Sequence, residues 1–472
     1  MQPSQLAGRQ PVAVSDRSRW IALYVLCTGM LMIVLDATVV NVALPAIRTD
    51  LGFTQSSLPG VDNAYQSAIG GLLLLAGRLG DLISRRGVFL AGLSVFTVAS
   101  LACGLAESQA MLILARFVQG VGGALTSAVI LGMIVTMFPE PREQAKAIGL
   151  YAFVASAGGS VGLIAGGVLT QAINWHWIFF INLPIGVATG VAAMRLLPRD
   201  RGTGFGRGAD ILGAVLITAS LMLGVYTIVK PAAELGWGAA KTLLLGGLSI
   251  ALLIGFVVRE ATAANPLVPL RIFSSATVSA SNVIQALTIA GMFGMFFLGV
   301  LYLRDVLQYD ELGTGLAFLP TTIVMGTLSV RYSERLVTRF GARRTLIPGL
   351  VLIGVGLALF ARVPVDGSYL ADILPTSLLI GAGVGTAFPA LMTLAMSGAT
   401  DEDAGLASGL VNTSAQVGAA LGLALLATFS ATHTAGLRAD GVPALEALVG
   451  GYHVGFLIGA VMVAAAVVLA LT

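Results

Sequence analysis

The feature that most limits what this chain can fold into is its succession of long apolar runs separated by short polar breaks. A helix needs roughly 20 apolar residues to cross the hydrocarbon of a bilayer. Fourteen such runs follow one another, near 20–44, 58–79, 87–106, 109–136, 145–171, 177–197, 210–230, 240–259, 276–303, 313–333, 344–362, 371–397, 404–430 and 450–471. Lipid offers the backbone no hydrogen-bond partners, so runs of this length must be helices. Only 10% of the 472 residues are charged, against about 25% in a soluble protein. The chain therefore reads as an all-α polytopic membrane protein. Its loops are too short for a soluble catalytic domain, and no nucleophile–base–metal constellation is visible. An enzyme is not expected, and neither is a metal or cofactor. Both cysteines, Cys27 and Cys103, fall inside apolar runs and read as small packing residues.

Basic residues set the orientation. With the N-terminus in the cytoplasm and the loops alternating, 19 of the 26 lysines and arginines fall on the inner side and six on the outer. Arg116 alone lies within a span. This predicts both termini in the cytoplasm and an even number of spans. The segment 1–19 reads as an uncleaved, mobile cytoplasmic tail. The stretch from Arg195 to Asp210, rich in Gly and Arg, reads as a flexible basic linker. The arginines are scattered among short loops, so no nucleic-acid partner is expected.

The turn Gly77-Arg-Leu-Gly-Asp-Leu-Ile-Ser-Arg-Arg-Gly87 joins two spans on the inner side. Gly77 and Gly80 permit close backbone approach, while Asp81, Arg85 and Arg86 supply opposite charges for a cytoplasmic gate. A positive-inside anchor is the plainer alternative. A degenerate echo at Glu334-Arg-Leu-Val-Thr-Arg-Phe-Gly-Ala-Arg-Arg344 sets Glu334 opposite Gly77 and Thr338 opposite Asp81. The echo implies two related halves.

Ionisable groups within spans are costly and mark functional sites by default. Three stand out: Asp36, Asp62 and Arg116. At a rise of about 1.5 Å per residue, they lie roughly 12, 7 and 10 Å from the outer ends of their helices. One layer could hold all three, as a proton-coupling site or as an ion pair that only joins helices. Thr38, Asn41, Tyr65, Gln66 and Gln119 lie near them in sequence and are expected to line a substrate cavity. In the second half, Asn282 and Gln285, and Asn412 and Gln416, share helix faces and are expected there too. Gly158, Gly162, Gly166 and Gly167 in span five form a helix-packing stripe.

These stretches together resemble the major facilitator superfamily, and within it the fourteen-span drug:proton antiporters, from Trp20 onward. The turn 77–87 resembles the superfamily's loop signature after span two. Leu35-Asp-Ala-Thr-Val-Val-Asn-Val-Ala-Leu-Pro45 is similar to the antiporters' span-one signature. Leu114-Ala-Arg-Phe-Val-Gln-Gly-Val-Gly-Gly123 resembles the span-four motif, whose arginine the family links to proton coupling. Trp175-His-Trp-Ile-Phe-Phe-Ile-Asn-Leu-Pro184 is similar to the start of span six. Leu82 and Ser84 replace a basic residue and a glycine of the loop signature. Leu163 stands where a proline usually follows the glycine pair of span five.

The resemblance implies two six-helix bundles, at 20–200 and 276–472, joined by a basic linker and two extra spans at 201–275. It implies a plasma-membrane exporter of amphipathic drugs or antibiotics, driven by the proton gradient and functional as a monomer. Its partners would be a small-molecule substrate, protons and lipid. The alternative on the same fold is an uptake symporter or facilitator for a small metabolite.

Overall fold

A computed structural model describes residues 16–471 apart from 54–57, 59, 201, 203, 205–209, 233–234, 264–265, 267, 269 and 398–402. Most of the expected tail 1–19, and much of the linker before Asp210, therefore lie outside the described residues. Within them the chain is helical. We number the helices α1 (Asp16–Leu51), α2 (Gly60–Leu82), α3 (Arg85–Gly104), α4 (Gln109–Met137) and α5 (Pro141–Ala172). There follow α6 (Trp177–Leu196), α7 (Leu212–Ala232), α8 (Ala240–Thr262), α9 (Ala276–Val306) and α10 (Gly313–Phe340). The last four are α11 (Ala342–Phe360), α12 (Tyr369–Met396), α13 (Ala404–Ala439) and α14 (Ala444–Leu471).

Local sequence explains where helices start. Ser84, Ser108, Asp210, Ser275 and Asp310 each accept a hydrogen bond from an amide of the first turn, satisfying donors that would otherwise be orphaned. Pro141 occupies the first turn of α5, where its missing N–H costs nothing. Gly341, at φ 86°, makes the tight break between α10 and α11 that a side chain would strain.

Among the described residues, twelve helices are long and apolar enough to cross a membrane. The two outside that number are α2 and α5, although they run to 23 and 32 residues. α2 holds Asp62, Asn63, Gln66 and Arg78, whereas α5 is long and apolar but has four side chains outside the described residues. α2 packs against α4, α7 and α13, and α5 against α1, α10 and α12. Helices that face protein on several sides can carry glycines and polar groups that a lipid-facing helix cannot.

Packing repeats with a shift of eight helices. In the first half α3 packs on α4 and α6, α2 on α4, and α1 on α5 and α6; in the second, α11 packs on α12 and α14, α10 on α12, and α9 on α13 and α14. The halves meet along two equivalent seams, α2 with α13 and α5 with α10. Between them, α7 lies against α2 and ends beside α13, with α8 packed on its other side. The apolar side chains of α8, Leu243, Leu244 and Ile254 among them, are exposed, as suits a lipid-facing helix.

Both seams close at the end carrying the 77–87 turn. On α2, a side chain at Gly77 would collide with the Gly405 carbonyl. On the other seam, Ser329 donates to the Gly149 carbonyl at 2.7 Å, and Arg142 Nε meets Glu334 Oε1 at 2.5 Å. The hydrogen bond to Glu334 holds the Arg142 guanidinium above its ordinary pKa. Glu334 thus reaches across to the other half, while Thr338 bonds only within its own helix, to the Glu334 carbonyl.

Candidate functional site

Asp36 enters the interior because α1 carries it at the level where α3, α4 and α6 converge. Its Oδ2 lies 2.5 Å from Arg116 Nη1. Its Oδ1 accepts from Gln119 Nε2 and Asn182 Nδ2, each at 2.8 Å. Gln119, one turn from Arg116 on α4, accepts from Arg116 Nη1 at 2.7 Å and donates to Ser100 Oγ on α3 at 2.8 Å. The Tyr65 ring covers the guanidinium at 4.1 Å, with Phe179 further off at 5.8 Å. Asp36, Arg116, Gln119, Asn182, Ser100 and Tyr65 are all completely buried. The first bundle thus encloses an ion pair whose every partner it supplies.

Asp62 stands differently. One of its carboxylate oxygens lies 3.8 Å from Arg116 Nη2, and its side chain is 28% exposed. Neither of those two atoms has a hydrogen-bond partner among the described residues. Gln66 lies one turn along α2 from Asp62. Arg116 therefore serves two carboxylates, one locked and one loosely held and open.

At the turn end of the same helix, Asp81 accepts from Arg85 Nε at 2.9 Å and from the Gly405 and Leu406 amides at 2.8 and 2.7 Å. Those amides form the first turn of α13, where unpaired N–H groups and the helix dipole favour an anion. Nearby, Asp403 pairs with Arg271 at 2.9 Å and stands 3.7 Å from Arg78 of α2. A side chain at Gly80 would meet Val129 of α4 at 2.5 Å. Arg86 does not join the latch; its guanidinium donates to the Met194 carbonyl at the end of α6. Ser84 has a use of its own, donating to Asp200 Oδ1 at 2.6 Å while capping α3.

The remaining expected positions divide. Gln66 is half-buried and accepts from Gln416 Nε2 across the seam at 2.7 Å. Asn412 is half-buried and donates to the Ser408 carbonyl at 2.9 Å. Asn282 is buried and takes a hydrogen bond from Ser414 at 3.0 Å, tying α9 to α13. Gln285 is buried as well. Thr38 turns back to the Val34 and Leu35 carbonyls and sits against Gly162. The side chains of Asn41 and Leu163 lie outside the described residues. Gly158, Gly162 and Gly166 all abut α1, at Val34, Thr38 and Val39, whereas Gly167 faces open space.

The expectation that Tyr65 and Gln119 line a substrate cavity differs from their enclosed placement here. Helical spacing fixes which residues share a face, not which neighbour that face meets. Asn182 and Ser100 are the cluster members that sequence reasoning passed over. Asn182 carried a signal, as the one amide in Ile-Asn-Leu-Pro, but Ser100 carried none beyond being polar in an apolar run.

The Major Facilitator Superfamily profile matches residues 26–423. The puromycin resistance protein pur8 of Streptomyces alboniger is 38% identical over 427 residues, covering 90% of this chain and 84% of that one. The cephamycin export protein CmcT of Amycolatopsis lactamdurans is 38% identical, covering 89% and 86%. The lincomycin resistance protein of Streptomyces lincolnensis is 34% identical, covering 88% and 85%. Among solved structures, the human organic anion transporter MFSD10 (TETRAN) superposes with a TM-score of 0.66 at 14% identity, covering 96% of this chain and 100% of that one. The proton:xylose symporter XylE does so with 0.64 at 13%, covering 96% and 95%. At those identities the two structures speak to the fold alone.

Proposed function

The chain belongs to the Major Facilitator Superfamily, and from that premise we propose that it is a proton-coupled exporter of antibiotics or similar amphipathic small molecules. Three relatives of 34–38% identity, each aligned over most of both chains, are named for resistance to or export of such compounds. We place the 77–87 turn and both termini in the cytoplasm, on the strength of the lysine and arginine bias. We count α2 and α5 as spans, which makes fourteen, and assign the protein to the plasma membrane as a monomer. The transport core is then the bundles 20–200 and 276–472, with 201–275 as linker and two added spans, and no cofactor takes part.

The observation that carries proton coupling is the charge sum around Arg116. One guanidinium faces two carboxylates, Asp36 at 2.5 Å and Asp62 at 3.8 Å. With all three ionised the site holds one uncompensated negative charge within the membrane, which is costly. A proton restores neutrality. Asp36 has both oxygens committed to donors, so the proton goes to Asp62, the carboxylate that reaches solvent. Asp36 then acts as the fixed counter-ion that holds Arg116 in place.

In this conformation both seams are closed on the side we place in the cytoplasm, and we take it to represent the outward-facing half of the cycle. Protonation of Asp62 from outside removes its pull on Arg116 and loosens α2 from α4. Substrate and proton drive the cycle only if each binds the two states differently. Gln66, Asn412 and Gln416, half-buried at the seam, are the polar groups we assign to the cavity, with Tyr65 and Gln119 serving the ion pair instead.

Two measurements test this reading. Cells carrying the protein should tolerate some members of an antibiotic panel better than cells without it. Proteoliposomes with an imposed pH gradient should move those compounds against the direction of proton flow. Transport of substrate along with the protons would mean a symporter.

A further inference from the structure

After leaving the first bundle, the chain comes back to the turn that carries Asp81. Beyond the end of α6, the Asp200 carboxylate reaches the start of α3. Its Oδ1 accepts from Ser84 Oγ at 2.6 Å and from the Arg86 amide at 3.2 Å, and its Oδ2 from the Arg85 amide at 2.6 Å. The Gly202 amide donates to the Ile83 carbonyl at 2.8 Å, and the Gly204 amide to the Leu82 carbonyl at 2.9 Å. A side chain at Gly202 would meet the Leu82 carbonyl at 2.3 Å, so only glycine lets the backbones lie this close. Asp200, Gly202 and Gly204 together strap the turn from the cytoplasmic side.

The echo of the turn separates what both halves share from what the first half adds. Arg86 stands nine residues after Gly77, and its guanidinium donates to the Met194 carbonyl at the end of α6. Arg343, nine residues after Glu334, donates to the Ala470 and Leu471 carbonyls at the end of α14, at 2.8 and 2.6 Å. In each half, then, an arginine at the head of one helix closes the tail of another, where free carbonyls and the helix dipole favour a cation. That brace is common to both halves, whereas the second has Thr338 in the position of Asp81. The turn with the carboxylate is the one that Asp200 holds.

We propose that Asp200 is a positioning residue for the cytoplasmic gate: it fixes the first turn of α3 so that Arg85 holds the Asp81 carboxylate in line with the α13 amides. Arg85 is where the two carboxylates meet. Its amide donates to Asp200, and its Nε donates to Asp81 Oδ1 at 2.9 Å. Its stem is confined as well, for a side chain at Gly80 would lie 3.3 Å from Arg85 Cγ. With that turn fixed, Asp81 is already oriented when α13 arrives, and closing the seam need not order it. Without Asp200 the Arg85 and Arg86 amides lose their acceptor and the first turn of α3 loosens. Asp81 must then be immobilised each time the seam closes, which costs roughly a factor of two to ten in the equilibrium. This rests on reading the 77–87 turn as a gate.

The test reads the other seam, away from the strap, in the full-length protein. Spin labels at Glu140 and Phe340, both exposed, flank the α5–α10 seam and report the ratio of closed to open protein by electron–electron distance measurement. Asp200→Ala should lower that ratio roughly two- to tenfold. Asp200→Asn should leave it unaltered, because its oxygen can accept from the Arg85 amide while its NH2 donates to Ser84 Oγ. Gly202→Ala, which lifts the strap without altering the carboxylate, should lower the ratio as Asp200→Ala does. In protein already carrying Arg85→Met, adding Asp200→Ala should change nothing further. An unchanged ratio in Asp200→Ala, whatever its unfolding temperature, would make Asp200 a plain helix cap and overturn the proposal. An undiminished effect on the Arg85→Met background would overturn it too. Asp81→Asn in the same labelled protein separates the two readings. If it shifts the ratio and Asp200→Ala does not, only the role of Asp200 fails; if it leaves the ratio unaltered, the gate reading itself fails.

Discussion

Replacing Asp81 by Asn probes the latch with a change of only one atom. Among the described residues, the carboxylate accepts from Arg85 at 2.9 Å and from the Gly405 and Leu406 amides at 2.8 and 2.7 Å. An asparagine keeps one acceptor oxygen and turns a donor towards the others. It can satisfy one of the two α13 amides, and it gives up the charge that both the amides and Arg85 complement. A hydrogen bond to a charged group contributes about 1.5–3 kcal/mol. Because the α13 contact exists only while the seam is closed, that loss falls on the closed state alone. The ratio of outward- to inward-facing protein should therefore drop roughly 10- to 100-fold, at about 1.4 kcal/mol per decade. The assay is disulfide trapping with a short bis-methanethiosulfonate reagent between cysteines placed at Arg78 and Asp403, whose charged ends approach to 3.7 Å across the seam. The cysteine pair is made with and without Asp81→Asn. Trapping should be fast while Asp81 is kept and much slower once Asp81→Asn is added. Equal rates would refute the latch and leave the turn as a topology anchor.

Other consequences follow from the same geometry. Asp36→Asn leaves Arg116 buried without its close partner, and should lower stability by about 3–5 kcal/mol, read as a fall in unfolding temperature in detergent. Gly77→Val forces a side chain against the Gly405 carbonyl, and should slow the same disulfide trapping as strongly as Asp81→Asn, whereas Gly167→Ala, facing open space, should leave it unaltered. Reporter fusions after Gly204 and Gly236 should give inner and outer signals respectively; the reverse would overturn the orientation.

Much of this was legible in the sequence because hydropathy registers where a helix meets lipid. The helices of the periphery, α8 above all, could hardly have been missed. α2 sits lower on that scale because it carries Asp62, Asn63, Gln66 and Arg78 along a helix that faces protein at the seam. The approach of Asp36 to Arg116 followed from comparing depths in their helices. Depth says nothing of azimuth, however. Whether Asp36 pointed into a cleft or into its own bundle depended on Asn182 and Gln119 being there to receive it. Likewise, the spacing of Asn412 and Gln416 put them on one face, but it could not show that Gln416 would reach Gln66 across the seam. Ser84 departs from the usual pattern of the turn, and its bond to Asp200, more than a hundred residues away, was beyond any local reading.

The central claim is that Asp62 takes up the proton while Asp36 only holds Arg116 in place. The most direct measurement follows substrate and proton together in proteoliposomes carrying the Asp62→Asn protein, under an imposed pH gradient. The account predicts that this variant still exchanges substrate across the membrane, releases no protons when substrate is added, and accumulates nothing against a concentration gradient. Accumulation driven by the pH gradient at the level of the unaltered protein would contradict it.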